Sequence, residues 1–320
     1  MINIINTLKN SRRIGISFHT SPDGDSLGSS LALLNILRLI GKDAYIICKE
    51  SIPETFMFLP NSKEVNDSLG IVKADTDCVV VLDCGNVERI NGEVDLQGNE
   101  YVVINIDHHK SNEMYGKLNY VNSEAAAVGE IIYELMMSLK VNLNSDIAKC
   151  IYTSLLTDTG SFRHSSTTNR THEIAGKLIS TGMDFSEIHR IIFENKSYKR
   201  VKLYGKVIND LELSEDEKIV FLYAKRSYFK ELDIENDDTS DLISFGTKID
   251  SVEVAVLFKE KDDELKVSLR SKNIVDVREI AESYGGGGHI RAAGFTSKKS
   301  SYELKKELTI KIKEHIDGTN

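Results

Sequence analysis

The stretch that decides the fold is "RIGISFHTSPDGDSLGSSLALLNIL", residues 13–37. It begins with a short, mostly apolar run, passes through a polar loop and ends in an apolar run with helical spacing. A buried strand followed by a helix is the repeating unit of a parallel α/β sheet. The loop between them contains His19, Asp23 and Asp25. A turn needs one Asp or Gly, so these residues either cap the helix or form part of a metal site whose other ligands lie further along the chain.

The same alternation continues through the first part of the chain. Strand-like runs rich in Val and Ile occur at 44–48, 78–83 and 101–107, and helix-like runs occur at 26–40, 127–139, 145–158 and 171–182. Fully buried parallel strands have this composition. We therefore predict an α/β protein whose N-terminal domain, residues 1–190, is a doubly wound parallel sheet with helices on both faces.

The C-terminal part of the chain has a different pattern. Residues 191–213 are polar with sparse apolar spacing, which predicts a linker helix. The strand-like runs at 218–225, 251–260 and 264–271 alternate polar and apolar residues, as half-exposed strands do, and an amphipathic helix follows at 301–316. We predict a smaller α+β domain over residues 214–320.

Composition limits the classes of protein to which the chain can belong. Of its 320 residues 41% are hydrophobic, which is typical of a globular protein. A formal net charge of −9 argues against tight binding to long nucleic acid. The four cysteines form no CxxC pair, the N-terminal residues lack a signal-peptide pattern, and no apolar run approaches the ~20 residues that cross a bilayer. We expect a cytoplasmic protein with no membrane partner.

Further Asp and His residues follow the later strands of the predicted sheet. Asp83 ends one strand, Asp107, His108 and His109 end the next, and Asp158 lies at the end of a helix. The carboxyl ends of parallel strands lie along one edge of a sheet, where such folds bind ligands, so we expect these side chains to meet those of the first loop. The predicted metal ligands are His19, Asp23, Asp25, Asp83, His108 and Asp158.

Six ligands are too many for one catalytic ion that keeps an open coordination position. They suit two divalent ions that share a carboxylate, as in two-metal phosphoryl hydrolysis. Carboxylate oxygens with some imidazole favour Mn²⁺ or Mg²⁺, with Co²⁺ or Fe²⁺ as alternatives, and the absence of cysteine among the predicted ligands argues against structural zinc. We expect two ions, with Mn²⁺ favoured.

Each of these residues also has an ordinary structural explanation when it is taken alone. Asp25 or Ser26 could be the N-cap of the following helix, and Asp83 could belong to a turn. Adjacent histidines after a buried strand, as at 107–109, have no comparable packing purpose. Together the residues favour the metal site.

Four stretches resemble the four motifs of the DHH phosphoesterases: HTSPDGDSLGSS (19–30), LDCG (82–85), DHH (107–109) and LLTDTGSFRHSSTT (155–168). The stretch SLRSKNIVDVREIAESYGGGGHIRAAGF (268–295) is similar to the C-terminal domain associated with them. The resemblance covers almost the whole chain. It is nearest to the NrnA-type branch of short, two-domain nano-RNase and pAp phosphatase enzymes. It implies an active site in a cleft between the two domains, and a homodimer.

The resemblance also implies roles for the candidate residues. The first ion would be bound by His19, Asp23 and Asp83, and the second by Asp25, Asp83, His108 and Asp158, with Asp83 bridging the two. Asp107 and His109 would be the catalytic residues. Asp107 would orient His108, as metal-bound imidazoles usually require, and His109 would point at the substrate phosphate.

Further residues are candidates for substrate binding. The glycine run permits close backbone approach, so that several N–H groups could point at an oxyanion, although a flexible linker is the ordinary explanation. Arg270 at a strand end could bind a phosphate or stack on a base, or it could be a plain surface residue. The resemblance favours binding for the whole set, which is Arg163, Arg270, Ser271, Gly286, Gly287, Gly288 and His289.

These features predict a metal-dependent phosphoesterase. We expect it to hydrolyse short RNA oligonucleotides (nanoRNA, dinucleotides) to mononucleotides and pAp to AMP plus phosphate, with water activated by the ions attacking phosphorus in line. The alternative enzyme is a phosphodiesterase for cyclic di-AMP or pApA. The alternative from another class is a nucleotide-binding module without activity. That module would be expected to lack a metal ligand, and all six are present.

Overall fold

The first part of the chain forms a parallel sheet of five strands. The computed structural model describes residues 1–98, 100–234, 239 and 241–318, and the chain divides into two units, Met1–Asn195 and Lys196–Asn320. The strands of the first unit are β1 (Arg13–Ser17), β2 (Asp43–Ile46), β3 (Cys78–Leu82), β4 (Val102–Asp107) and β5 (Leu118–Val121). They lie in the order β2-β1-β3-β4-β5, and every neighbouring pair is parallel. The predicted parallel sheet is confirmed, with β5 as an edge strand that the sequence analysis missed because its residues are only half-buried.

Helices pack beside this sheet. The helices of the first unit are α1 (Ile2–Asn10), α2 (Gly24–Leu39), α3 (Lys63–Asn66), α4 (Val128–Ser138), α5 (Ser145–Asp158), α6 (Asn169–Ile179) and α7 (Phe185–His189). The first unit also contains two 3₁₀ turns, at Glu54–Phe56 and Val87–Arg89. A π-helical turn at Arg190–Glu194 follows α7.

The two faces of the sheet belong to different apolar clusters. Ile14, Val80 and Ile104 belong to a large cluster that also contains residues of α2, α4 and α5. Val79 and Val103, on the opposite face, belong to a smaller cluster completed by residues of the connecting segments. Alternate residues of a strand serve opposite faces, which explains the continuous apolar runs of β3 and β4.

Helix α2 packs closely on α5. A Cβ atom on Gly28 would lie 2.4 Å from the carbonyl oxygen of Cys150 and 2.9 Å from the backbone nitrogen of Ser154. No side chain fits at that separation, so glycine is required here. The close approach brings the first turn of α2, which carries Asp25, towards the helix that ends at Asp158.

The second unit is built on a mixed sheet of six strands. Its strands are β6 (Glu212–Leu213), β7 (Ile219–Ala224), β8 (Val254–Glu260), β9 (Leu265–Ser271), β10 (Gly287–His289) and β11 (Ala292–Ser297), in the order β10-β11-β9-β8-β7-β6. Neighbouring strands are antiparallel except β7 and β8, which are parallel. Its helices are α8 (Tyr198–Asn209), α9 (Arg226–Leu232), α10 (Ile243–Thr247), α11 (Val277–Glu282) and α12 (Ser301–Asp317).

Both faces of this second sheet are covered by helices. Residues of α11 and α12 pack on one face, and residues of α8 and α10 pack on the other. The helix predicted within residues 191–213 is α8, and it belongs to the second unit. Among the helices formed by the described residues, none combines the length and hydrophobicity that crossing a lipid bilayer requires.

We expect Gly28→Ala to lower the free energy of unfolding by about 1–3 kcal/mol, because the added methyl group overpacks the contact between α2 and α5. Gly176→Ala in α6 is the matched control, since no atom lies within 4 Å of its added Cβ. That change should raise stability by roughly 0.5–1 kcal/mol through helix propensity. Urea denaturation followed by circular dichroism measures both. A Gly28→Ala variant as stable as the wild type would contradict the close packing.

Candidate metal centre

Three adjacent strands carry candidate ligands at or just beyond their carboxyl ends. These strands, β1, β3 and β4, lie side by side, and they lead to His19, Asp83 and Asp107. His19 forms an isolated antiparallel bridge with Ile90, and Asp83 has a left-handed backbone with φ 53°. Residues other than glycine rarely adopt this conformation, and they are concentrated at functional sites. The sheet thus places an imidazole and two carboxylates along one edge.

The start of α2 contributes the two aspartates of the opening loop. Asp23 is the N-cap: its Oδ1 accepts hydrogen bonds from the backbone N–H groups of Asp25 (3.1 Å) and Ser26 (3.0 Å). Its Oδ2 lies 3.6 Å from Nε2 of His19. The cap is therefore Asp23, not Asp25 or Ser26, and this one carboxylate both caps the helix and faces the cluster.

Asp25 is buried within the first unit, with 1% of its surface exposed. Its carboxylate accepts hydrogen bonds from the backbone N–H groups of Val128 (2.8 Å) and Gly129 (3.3 Å) in the first turn of α4, and from the hydroxyl of Ser154 (2.6 Å). A helix N-terminus stabilises negative charge. Oδ2 of Asp25 lies 3.8 Å from Nε2 of His108, so the same carboxylate borders the cluster.

Asp83 lies at the centre of the cluster and is 3% exposed. Its Oδ2 lies 3.5 Å from Nε2 of His19, and its Oδ1 lies 3.6 Å from both Nε2 of His108 and Nδ1 of His109. Oδ1 has no hydrogen-bond partner among the described residues. An unpaired buried carboxylate oxygen is costly, because its lost hydration is not replaced. Carboxylates and imidazoles that converge on such an oxygen fit a divalent cation.

Asp107 orients a different histidine from the one predicted. Its Oδ1 accepts hydrogen bonds from Nδ1 of His109 (2.7 Å) and from the backbone N–H of His108 (2.7 Å), and its Oδ2 accepts one from the side-chain amide of Asn112 (2.5 Å). The ring of His108 contacts the carbonyl oxygen of Ala125 through Nδ1 (3.1 Å). The prediction that Asp107 orients the ring of His108 is wrong, because Asp107 contacts only the backbone of His108 and uses the same oxygen to hold the ring of His109.

Asp158, the last residue of α5, joins the same cluster. Its Oδ2 lies 3.6 Å from Nε2 of His108. Three overlapping groups of donor atoms could each hold a metal ion, with the atoms of a group within 4.8 Å of one another: His19, Asp23 and Asp83; Asp25, His108 and Asp158; and Asp83, Asp107, His108 and His109. The structure brings all six predicted ligands together.

The pKa values in the cluster reflect crowded negative charge. Burial and the charges of Asp83 and Asp158 raise the pKa of Asp25 well above its usual range. Burial also raises the pKa of Asp83, and it raises the pKa of Asp158 to about 6. Burial opposes protonation of His19, but the nearby carboxylates of Asp23 and Asp83 outweigh it and raise the pKa of His19 to about 10. A divalent cation would replace the protons that these groups retain.

The turn after α5 holds Arg163 close to the end of that helix. Gly160, Ser161 and Phe162 all have left-handed backbones, with φ of 55°, 64° and 62°. Consecutive residues with left-handed backbones are uncommon, and here they fold the chain back on itself. The backbone N–H of Arg163 donates to the carbonyl oxygen of Thr159 (2.9 Å), and its Nε donates to that of Gly160 (2.7 Å). Arg163 is exposed.

In the second unit, the predicted substrate contacts Arg270 and Ser271 differ in how far their polar groups are already used. Arg270 is half-buried, and its Nη1 donates to the carbonyl oxygen of Leu269 (3.0 Å). In the part of the chain that the structure describes, no carboxylate forms an ion pair with it. Burial lowers its pKa. Ser271 is buried, and its hydroxyl donates to the carbonyl oxygen of Val275 (2.7 Å).

The loop after β9 is held from two sides. Oε1 of the buried Glu253 accepts hydrogen bonds from three consecutive backbone N–H groups, those of residues 273–275, at 2.6–3.2 Å. Arg291 donates to a carbonyl oxygen of the same loop at 2.8 Å. These contacts, which the sequence analysis did not foresee, fix the end of the strand that carries Arg270.

The last two glycines of the run, with His289, form an edge strand. Residues Gly287–His289 are β10, which pairs antiparallel with β11. A Cβ atom on Gly286 or Gly288 would lie 2.2 Å or 2.5 Å from a carbonyl oxygen of β11, so packing explains these two glycines. No atom lies within 4 Å of a Cβ added to Gly287. Packing therefore does not explain Gly287, which lies exposed beside the exposed His289.

Several residues that support the cluster were missed by sequence reasoning. Asn112 follows the two histidines closely, so its position was a usable signal. Ser154 lies 129 residues from Asp25, and only its place one helical turn before Asp158 could have suggested a role. The carbonyl oxygen of Ala125 has no sequence signal at all.

Comparisons with known proteins show which sequences and folds the chain is similar to. Residues 13–155 match the DHH family N-terminal domain, and residues 205–317 match the DHHA1 domain. The chain is 33% identical to a protein of Thermus thermophilus, over 89% of this chain and 84% of that protein, and 32% identical to a protein of Bacillus subtilis, over 86% of each. Both are named bifunctional oligoribonuclease and PAP phosphatase NrnA. The chain also resembles the crystal structure of an exopolyphosphatase-related protein from Bacteroides fragilis, with a TM-score of 0.89 and 24% sequence identity. The match covers 98% of this chain and 95% of the Bacteroides chain, so the two proteins have the same fold.

We expect the metal-free protein to lose stability as pH rises from the ordinary aspartate pKa of 3.8 to about 6. Asp158 binds a proton more tightly in the folded state than in the unfolded state, so its contribution to the free energy of unfolding falls across this window. Asp25 and Asp83, whose pKa values are also raised, act in the same direction.

Asp158→Asn should flatten part of the slope of unfolding free energy against pH, and Asp67→Asn, at an exposed position outside the cluster, should not. Urea denaturation in a chelator at a series of pH values measures this. An unchanged slope in Asp158→Asn would show that Asp158 is not proton-linked to folding.

Proposed function

This chain belongs to the DHH family of phosphoesterases, and from that premise we propose that it hydrolyses short RNA oligonucleotides to mononucleotides and pAp to AMP plus phosphate. Relatives that it matches over most of their length are named for both activities. The single observation that carries the proposal is Asp83. Its buried Oδ1 lacks a hydrogen-bond partner among the described residues and faces His108 and His109 at 3.6 Å. An oxygen in that position favours a cation rather than a further protein contact.

The proposed cofactor is a pair of divalent ions, with Mn²⁺ preferred to Mg²⁺ or Co²⁺. The first would be held by His19, Asp23 and Asp83, and the second by Asp25, Asp83, His108 and Asp158. When bound, such ions lower the pKa of water towards neutrality and stabilise charge on phosphoryl oxygens. The mixture of carboxylate and imidazole donors supports this choice of ion.

Other residues of the centre would bind and orient the substrate. Asp107 holds Nδ1 of His109, which leaves Nε2 available to a phosphate oxygen. The same contact raises the pKa of His109, so the ring favours its cationic form. Arg163 adds an exposed guanidinium at the end of α5. Two cationic groups beside the carboxylate cluster are suited to a phosphate held there.

The second unit would contribute the remaining substrate contacts. We assign the catalytic, metal-binding role to residues 1–190 and the substrate-binding role to residues 214–320, with 191–213 linking them. Among these residues, Arg270 would form the most favourable contact with a phosphate, because no carboxylate pairs with it among the described residues. The exposed edge formed by Gly286, Gly287, Gly288 and His289 would be a second contact. Ser271 would contribute less, because its hydroxyl already donates to a backbone carbonyl.

Asp83→Asn should lower kcat/KM for pAp and for an RNA dinucleotide by at least about 100-fold. Mutating a residue that only hydrogen-bonds to a metal ligand usually costs about 10–100-fold, and loss of the ligand itself should cost more. The nearly isosteric amide preserves shape but removes the charge that two ions would share. Asp67→Asn is the matched control and should behave as wild type. The measurement is product release with Mn²⁺, after calorimetry has shown whether the variant still binds the ion.

The substrate panel for this measurement separates the candidate activities. It contains a phosphorylated RNA dinucleotide, a long RNA, pAp, pApA, cyclic di-AMP and pyrophosphate. Hydrolysis of the dinucleotide and pAp with little action on the long RNA supports the proposal. Preference for cyclic di-AMP or pApA would replace it with a phosphodiesterase of the same centre. No hydrolysis with Mn²⁺, Mg²⁺ or Co²⁺ would leave a nucleotide-binding module.

Arg270→Gln should raise KM for pAp about 10-fold with a smaller effect on kcat, since a hydrogen bond to a charged group contributes about 1.5–3 kcal/mol. Arg226→Gln is the control, because that guanidinium already pairs with Asp262 at 2.7 Å. Steady-state kinetics with pAp measures both variants. An unchanged KM in Arg270→Gln would remove Arg270 from the proposed substrate contacts.

A further inference from the structure

Arg89 lies next to the candidate metal centre but is not one of its predicted residues. It ends the 3₁₀ turn Val87–Arg89, six residues after Asp83, and its backbone carbonyl accepts a hydrogen bond from the N–H of Thr20 (2.7 Å). The next residue, Ile90, forms the antiparallel bridge with His19. The backbone of Arg89 is therefore fixed against the loop of His19, while its side chain is exposed.

The guanidinium of Arg89 has no good hydrogen-bond partner at this position. Its Nη2 lies 3.2 Å from Nδ1 of His19 and 3.5 Å from the carbonyl oxygen of Thr20. Nδ1 of His19 also lies 2.8 Å from that carbonyl oxygen. A carbonyl oxygen has no hydrogen, so a contact this short requires the hydrogen to be on Nδ1. A nitrogen that carries a hydrogen in this way cannot accept one from Arg89.

The charge of Arg89 is also unpaired, unlike that of Arg38 or Arg170. Arg38 pairs with Glu64 at 2.7 Å, and Arg170 lies 3.7 Å from Glu134. For Arg89 the structure shows no ion pair with any carboxylate in the described ranges. Its one remaining contact, the carbonyl oxygen at 3.5 Å, is at the limit of hydrogen bonding. The donors of an uncommitted guanidinium are thus available beside a candidate metal ligand.

We propose that Arg89 binds a non-bridging oxygen of the phosphate group that is hydrolysed, on the His19 side of the centre. This inference rests on the proposed function, because it needs a phosphate ester at the carboxylate cluster. His19 contacts Asp83, Asp83 contacts His108, and His108 contacts Asp158, so His19 and Asp158 are the two ends of this series of contacts. Arg89, which lies beside His19, would therefore contact the phosphate from that end. Guanidinium groups match phosphate oxygens in both charge and geometry.

A supporting role for His19 is the competing explanation. If Arg89 only held the loop of His19 through the carbonyl oxygen of Thr20, its loss would weaken metal binding and would leave the affinity of the metal-loaded protein for phosphate unchanged. If Arg89 binds phosphate, the opposite pattern is expected. The two roles therefore differ in equilibrium measurements that need no turnover.

The test compares Arg89→Gln and Arg89→Lys with wild type and with Arg170→Gln, an exposed control on α6. Calorimetry gives the Kd of Mn²⁺ and the Kd of inorganic phosphate for the Mn²⁺-loaded protein. We expect Arg89→Gln to raise the phosphate Kd about 10-fold with the Mn²⁺ Kd within about twofold of wild type. Arg89→Lys should recover part of the loss, because it keeps the charge without the planar fork. Arg170→Gln should change neither constant.

Two results would overturn the inference. One is a phosphate Kd that is unchanged in Arg89→Gln, and the other is a Mn²⁺ Kd that rises as much as the phosphate Kd. Hydrolysis of pAp by the wild type, measured beside them, separates this failure from that of the proposed function. Wild-type protein that hydrolyses nothing but loses phosphate affinity in Arg89→Gln would overturn the phosphoesterase proposal and support an anion site at Arg89.

Discussion

Repulsion among buried carboxylates is the constraint on which the first unit depends. The carboxyl edge of the sheet and the start of α2 bring Asp23, Asp25, Asp83 and Asp158 into contact with the same two imidazoles, those of His19 and His108. Burial and mutual repulsion raise the pKa values of Asp25, Asp83 and Asp158. At the more exposed Asp23 the neighbouring His19 outweighs burial and lowers the pKa to about 2, which shows what positive charge placed among the carboxylates does. Two of these carboxylates, Asp25 and Asp83, are at most 3% exposed, so water cannot supply that compensation. A cluster of this kind favours divalent cations strongly.

Backbone dipoles provide part of the compensation. Asp23 caps α2 with one oxygen, and Asp25 accepts hydrogen bonds from the first turn of α4, so two helix N-termini stabilise two of the charges. Asp83 has no such help for Oδ1, which makes it the position where a shared cation would matter most. The same fold that concentrates the charge therefore also sets which oxygens remain free.

In the second unit, hydrogen bonds within the protein surround Arg270, the proposed substrate contact. Glu253 and Arg291 are both used to hold the loop after β9, and Ser271 is used within it. Their polar groups are satisfied inside the unit. Arg270, on the same strand, has no carboxylate partner in the described part of the chain and keeps a guanidinium for a ligand. Rigid support around an uncommitted charge reduces the conformational cost of binding.

The sequence by itself determined the parallel sheet, the order of its elements and the six residues that meet at its carboxyl edge. Those features are local: the apolar period of each strand, the helix that follows it and the ligand at the strand end all lie within a few residues of one another. Only the tertiary structure decided which partner each ligand has. Asp107 holds His109 rather than the ring of His108, Asp25 binds a serine 129 residues away, and the last two residues of the glycine run lie in an edge strand. Such pairings depend on how closely α2 packs on α5 and on which strand lies beside β11, and no local pattern in the chain encodes those distances.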